Sequence, residues 1–138
     1  MSPQYSVLLI VLGVIAIALV VAIVRYPRTI KEYWQRSCMG RAWKQTFPQA
    51  SAEEIRQFLY TFVDAFAFPR RRALQFAPTD RVLSIYSALY PLKGSPDAME
   101  LETLALQLEG RYALDLRKIW REDLTLGEIF SRTDTPMA

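Results

Sequence analysis

Residues Val7 to Val24, VLLIVLGVIAIALVVAIV, contain no charged or strongly polar side chain. A helix of these eighteen residues rises about 1.5 Å per residue to roughly 27 Å, or about 30 Å if Tyr5 and Ser6 extend it, enough to cross the hydrocarbon core of a bilayer. A soluble helix seldom stays apolar on every side over such a length. A cleaved leader would carry Lys or Arg before the run and a small-x-small site after it, and this chain has neither. The run predicts a transmembrane anchor over residues 1–25. What remains is room for one small domain.

The flanks predict orientation. No basic side chain precedes the run, whereas Arg25, Arg28, Lys31, Arg36, Arg41 and Lys44 crowd the side that follows. Lys and Arg near a span stay cytoplasmic, so the expectation is a single pass through a bacterial inner (plasma) membrane, with the N-terminus outside and the C-terminal domain in the cytoplasm. The net charge of +3 conceals an asymmetry: Arg25 to Arg72 holds ten basic and four acidic residues, and Ala73 onward seven basic and ten acidic. Basic residues beside a membrane gain roughly 1 kcal/mol each from anionic lipid. The expected lipid-facing set is Arg25, Arg28, Lys31, Trp34, Arg36 and Arg41. Membrane lipid accounts for this charge more simply than nucleic acid, which requires a basic face on a recognisable binding fold. The Ala18-x-x-x-Ala22 spacing permits another helix to approach closely.

The chain has no histidine and one cysteine, Cys38. The first removes Ser-His and Cys-His catalysis and the usual zinc ligand sets; the second excludes an internal disulfide and suits a reducing compartment. No nucleophile elbow, metal cluster or phosphate loop is present, so catalysis by carboxylates or by Arg70-Arg71-Arg72 on a lipid phosphate is a weak alternative. The arginine triplet itself reads as a solvated turn or a lipid-facing patch, since arginine matches phosphate oxygens but no helix start or glycine-rich loop completes a site.

Between the anchor and the domain, residues 26–48 predict a basic juxtamembrane amphipathic helix from Thr29 to about Phe47. Thr29 and Glu32 have capping-box spacing, Ile30, Tyr33, Trp34 and Cys38 share a face, and Gly40 weakens the helix before Pro48 ends it. Tyr26, Tyr33, Trp34 and Trp43 suit a membrane interface; packing against the domain is the equal alternative. Over 49–138 the patterns are helical throughout, with no alternating strand. Ser51 and Glu54 form a capping box ahead of Ile55, Phe58, Leu59, Phe62, Val63 and Phe66 on one face. Pro78-Thr79-Asp80 opens a helix with Val82, Leu83, Ile85, Tyr86 and Leu89 in its body. Ser95 and Pro96 cap another, whose buried side is Met99, Leu101, Leu104, Ala105, Leu108 and Tyr112. Thr125 and Glu128 form a third capping box for a last helix with Leu126, Ile129 and Phe130. The fold class expected is all-α, an N-terminal transmembrane helix followed by a small helical bundle.

Asp97-Ala98-Met99-Glu100, then Leu104, Leu108-Glu109, Tyr112 and Leu114-Asp115-Leu116, resemble the second helix of acyl carrier proteins and the segment after it. The usual form there is Asp-Ser-Leu-Asp, Leu, Leu-Glu, Phe and an Ile or Leu segment. Leu124-Thr125-Leu126-Gly127-Glu128-Ile129-Phe130 is similar to the start of the family's last helix, where Thr-Val-Gly-Asp-Leu is common, and the Ser51 helix matches its first. The similarity is strong over 97–130 only.

In that family the serine hydroxyl carries a phosphopantetheine arm. Ala98 stands at the matching position, and a methyl group cannot form a phosphodiester. Ser95 lies three residues upstream, before a proline, and departs from the Asp-Ser pattern. The longer loop from Pro69 to Tyr90 and the anchor are further departures. The resemblance therefore implies a carrier-like fold with no cofactor and no enzymatic activity: a membrane-anchored adaptor or accessory subunit that docks a partner protein or membrane complex. Carriers meet partners through acids of this helix, which implies Asp97, Glu100, Glu102 and Glu109 as the charged contacts and Met99 and Leu101 as the apolar ones. The alternative function is a membrane-surface regulator that binds anionic lipid through the basic juxtamembrane region.

Overall fold

The computed structural model describes residues 3–24, 28–90 and 99–133, and the side chains of all of these except 21–24 and 28. Helix α1 spans Pro3–Val24. Its large apolar side chains from Tyr5 to Val20 project outward all round, and none of the span Pro3–Val20 is covered by the rest of the chain. Monomeric soluble proteins rarely expose so large a continuous apolar surface; α1 is long and apolar enough to cross a bilayer.

The described residues beyond α1 are helical too, with no strand among them. The element order is α2 (Arg28–Trp34), α3 (Gly40–Thr46), α4 (Ala52–Ala65), a 3-10 helix (Arg70–Gln75), α5 (Val82–Leu89), α6 (Met99–Tyr112), α7 (Leu116–Ile119) and α8 (Leu126–Thr133). Helix α4 is the centre. Its capping box forms in full, Glu54 N donating to Ser51 Oγ at 3.1 Å and Ser51 N to Glu54 Oε2 at 2.8 Å, a cap of about 1 kcal/mol. Ile55, Phe58, Leu59, Phe62 and Val63 are buried along one side, and Phe66 beyond the end. The 3-10 helix packs on one flank of α4 and α6 on another, where Leu104 and Leu108 are buried.

The segment 28–47 is not a separate juxtamembrane helix. Ile30 and Trp43 are fully buried in the same core as α4. Trp43 donates its indole N–H to Phe76 O at 2.8 Å and packs its ring among Phe47, Phe58 and Phe130. Trp34 meets Phe68 and Phe76 edge-on. Both tryptophans pack in the bundle, Trp43 fully buried and Trp34 half-buried. The helix breaks after Trp34 because tertiary partners claim its backbone: Gln75 Nε2 donates to Trp34 O at 2.9 Å and Arg36 O at 3.2 Å, and Met39 N donates to Leu74 O at 2.6 Å. Backbone groups satisfied this way have no need of a helical turn. Thr29 lies inside α2, not at its cap, and its hydroxyl donates to Ala88 O of α5. Gly40 begins α3.

Asp80 does not start a helix either. Its Oδ2 accepts Ala77 N at 2.7 Å, and both carboxylate oxygens accept Arg36 Nη1 at 2.7 and 2.9 Å. Burial pushes the nearby Tyr33 hydroxyl above its ordinary range, with Asp80 adding to the rise and Arg36 opposing it. Helix α5 begins two residues later, and its first donor goes to a different element: Val82 N bonds Leu124 O at 3.0 Å. In return Leu126 N bonds Asp80 O at 2.9 Å and Gly127 N bonds Pro78 O at 2.8 Å. The starts of α5 and α8 thus satisfy each other's free N–H groups through an antiparallel bridge at Arg81 and Thr125. Gly127 is required here, since a Cβ would stand 2.8 Å from Pro78 O. Thr125 Oγ1 accepts Glu128 N at 3.2 Å, but the Glu128 carboxylate pairs with Arg121.

Candidate functional site

A groove of about 640 Å³ runs between α6 and α7. Its shape follows from the two helices. On α6, Leu104 and Leu108 turn into the core, and Leu101 and Ala105 pack partly against it. The next stripe round, Glu102, Leu106 and Glu109 at i, i+4 and i+7, is left facing outward. Helix α6 ends in a left-handed residue, Ala113 at φ 52°, with Ala113 N bonded to Glu109 O at 3.0 Å. That turn swings the chain back so that α7 lies beside α6. Asp115 caps α7 by accepting Arg117 N at 3.0 Å. Leu116 is buried, and Trp120 sits at the far end.

The walls are mixed in chemistry. Leu106 is 69% exposed and Trp120 36% exposed, and with Leu101, Ala105 and Leu116 they form an apolar floor. Glu102, Glu109 and Asp115 stand round it with one cation, Arg117. Asp115 already spends an oxygen on Arg117 N; Glu102 and Glu109 make no ion pair among the described residues. The groove therefore offers apolar contact inside a ring of net negative charge.

Of the residues singled out on this helix, Leu101, Glu102 and Glu109 line the groove. Met99 does not, though it is 60% exposed. Glu100 is turned elsewhere: one carboxylate oxygen accepts the Tyr90 hydroxyl, and the other is buried without a partner among the described residues. Asp97, Ala98 and Ser95 lie outside the described residues, as do Arg25 and the side chain of Arg28. Leu106, Asp115, Leu116, Arg117 and Trp120 complete the groove without having been expected there. Leu106 carried a signal, since it falls about 200° round the helix from Leu104, on the side an amphipathic pattern reserves for polar residues.

The expected lipid-facing set divides. Lys31 and Arg41 are exposed. Trp34 and Arg36 are half-buried, the first packed on Phe68 and Phe76, the second paired with Asp80. Of the arginine triplet, Arg70 pairs with Asp64 at 2.9 Å and lies over the Tyr60 ring, while Arg72 lies over the Trp34 ring.

A second cleft, between α5 and the loop before α8, is lined by Arg81, Leu83, Ser84, Ser87, Glu122 and Asp123. It holds charges of both signs and no paired nucleophile and base. Among the described residues no group of three Cys, Asp or Glu side chains is placed to hold a metal ion. The chain matches no protein-family model, no curated protein and no solved structure.

Proposed function

We propose that this chain is a non-catalytic adaptor, held to a bacterial inner membrane by α1, whose cytoplasmic bundle docks a partner protein in the α6–α7 groove. The observation that carries the reading is Leu106, a large apolar side chain left in water between Glu102 and Glu109 and opposite Trp120. With Leu101, Ala105 and Trp120 it forms a contiguous apolar patch rimmed by acids, the kind of surface that marks a protein contact. An apolar anchor desolvated at the centre supplies affinity, and an acidic surround selects basic partners and speeds their encounter. The occupant that fits is a helical segment with an apolar residue flanked by Lys or Arg.

The carrier-like reading of the bundle belongs to the same proposal. A long first helix, α4, packs against a second, α6, which is followed by a short helix and a last one opened by Leu-Thr-Leu-Gly. With Ala98 at the arm position, such a domain keeps a docking helix and carries no covalent cargo. Mass measurement after co-expression with a phosphopantetheinyl transferase is expected to find no adduct.

The docking test uses the full chain in native membranes with a photo-crosslinking side chain at position 106. One dominant adduct is expected, lost when Glu102→Lys and Glu109→Lys are combined and retained with Glu100→Lys. An adduct that survives the double reversal, or none at all, refutes the groove as the contact. Glu102 and Glu109 are exposed, so their reversal leaves the core intact; Glu100 is half-buried against Tyr90, so Glu100→Lys serves as the control with a melting temperature matching the native chain.

A further inference from the structure

The geometry points to the Arg70–Arg72 turn as an anionic-lipid contact, with Arg71 as the headgroup ligand and the anchor's own membrane as its partner. This stands apart from the groove and does not depend on it.

In the sequence the triplet lies far from the span, and the basic residues next to the anchor are the natural candidates for lipid. The fold rearranges this. Arg36 is withdrawn into its pair with Asp80. In its place the 3-10 helix is docked on the end of α2: Gln75 Nε2 bonds Trp34 O at 2.9 Å, and Arg72 Nη1 bonds the same carbonyl at 3.3 Å while its guanidinium lies 5.3 Å from the Trp34 ring centre. Only residues 25–27 separate α1 from α2. Four residue steps of at most about 3.6 Å and six helical rises of about 1.5 Å keep Trp34 within roughly 23 Å of the end of α1. With α1 in a bilayer, this short tether keeps the triplet within reach of the headgroups at a high effective concentration.

The three arginines differ in what they are free to do. Arg70 is held by Asp64 through Nε at 3.2 Å and Nη2 at 2.9 Å. Arg72 is held by Trp34 and Gln75. Arg71, between them, is exposed and makes no hydrogen bond or ion pair among the described residues. The two outer residues fix the turn and the middle one presents five N–H donors, a geometry that grips two oxygens of a phosphodiester at once. Lys31, exposed on α2, adds a second positive charge near the same helix.

Cys38 is the single cysteine and is exposed. It stands next to Met39, whose N–H bonds Leu74 O of the same 3-10 helix at 2.6 Å. A fluorophore there reports the turn's distance from the membrane in the full chain. The chain is reconstituted in nanodiscs of phosphatidylcholine alone, or of an equal mixture with phosphatidylglycerol, each carrying a headgroup spin label as quencher. Quenching is expected to be stronger in the mixed discs, to weaken in high salt, and to fall back to the phosphatidylcholine level in Arg71→Glu. Arg71→Gln should lower the ratio of docked to undocked forms about fivefold. Equal quenching in both disc types overturns the assignment, as does a gain that survives Arg71→Glu. Inorganic phosphate that abolishes the gain where chloride of equal ionic strength does not would make the ligand a soluble anion, and overturns it too. An unchanged circular dichroism spectrum for both variants separates loss of the contact from loss of the fold.

Discussion

Two alanines hold positions that favour glycine. Ala67 follows α4 at φ 57° and Ala113 follows α6 at φ 52°. At Ala67 the hydrogen bonds are those of a Schellman motif, Phe68 N to Val63 O at 2.8 Å and Ala67 N to Asp64 O at 3.1 Å. A Cβ in the left-handed region costs roughly 1–2 kcal/mol, part of which is offset by the smaller entropy that alanine loses on folding. Ala67→Gly and Ala113→Gly should each therefore stabilise the bundle by about 1 kcal/mol, read as a higher denaturation midpoint at constant slope. Gly127 is the reverse case. A methyl group there would press on Pro78 O and Pro78 Cβ, 2.8 and 3.0 Å away, and backbone cannot rotate aside as a side chain does. Gly127→Ala should cost about 1–3 kcal/mol. A neutral result would show that the α5–α8 junction is slack.

At the scale of elements, local rules were readable and tertiary ones were not. The α4 capping box and its apolar face are short-range features, and both stand as the sequence spells them. Val82, Ile85, Leu104, Leu108, Ile129 and Phe130 likewise fall on buried sides. The break between α2 and α3 was hidden because its cause, Gln75 and Leu74, lies some forty residues on. Asp80 misled for the same reason: its spacing fits a cap, but its partners are Arg36 and Ala77 N. The groove was half legible, since Glu102 and Glu109 lie on a recognisable helix while Trp120 reaches them only through the turn at Ala113. The loop ahead of α8 offers a measurable electrostatic element. Arg121 bonds Asp123 at 3.0 Å and also pairs with Glu128. The guanidinium holds the Asp123 carboxyl below its ordinary 3.8, by hydrogen bond and then by charge. A lowered carboxyl pKa means stability that is present above the ordinary value and lost as pH falls through the folded one. The melting temperature of the native chain and that of Arg121→Gln should therefore differ above about pH 4 and converge in stronger acid. Parallel curves down to the acid limit would show that the bridge carries no stability. The effect should be small, since Arg121 and Asp123 are both exposed.

For the molecule as a whole, the decisive question is where the domain begins. Composition and charge place a boundary near residue 48, between a basic helix and a bundle. Packing places the start of the folded unit at α2, because Ile30, on a helix packed against α5 and the 3-10 helix, and Trp43, packed on Phe58 of α4 and Phe130 of α8, are both fully buried in one core. Burying an aliphatic side chain contributes about 1.5–3 kcal/mol, and a tryptophan with three ring contacts adds as much again with its aromatic pairs. Removing both also strands Phe76 O, which accepts the Trp43 indole N–H, and leaves Asp80 without Arg36. Set against a total stability of about 5–15 kcal/mol for a domain of this size, those losses are enough to unfold it. A fragment starting at residue 49 should give no cooperative thermal transition and should bind a hydrophobic dye. One starting at residue 28, still without α1, should melt cooperatively. Cooperative melting of the shorter fragment would make α2 and α3 an appendage. Its absence, with the longer fragment folded, would put the groove and the arginine turn in one cooperative unit that begins at α2, three residues after α1.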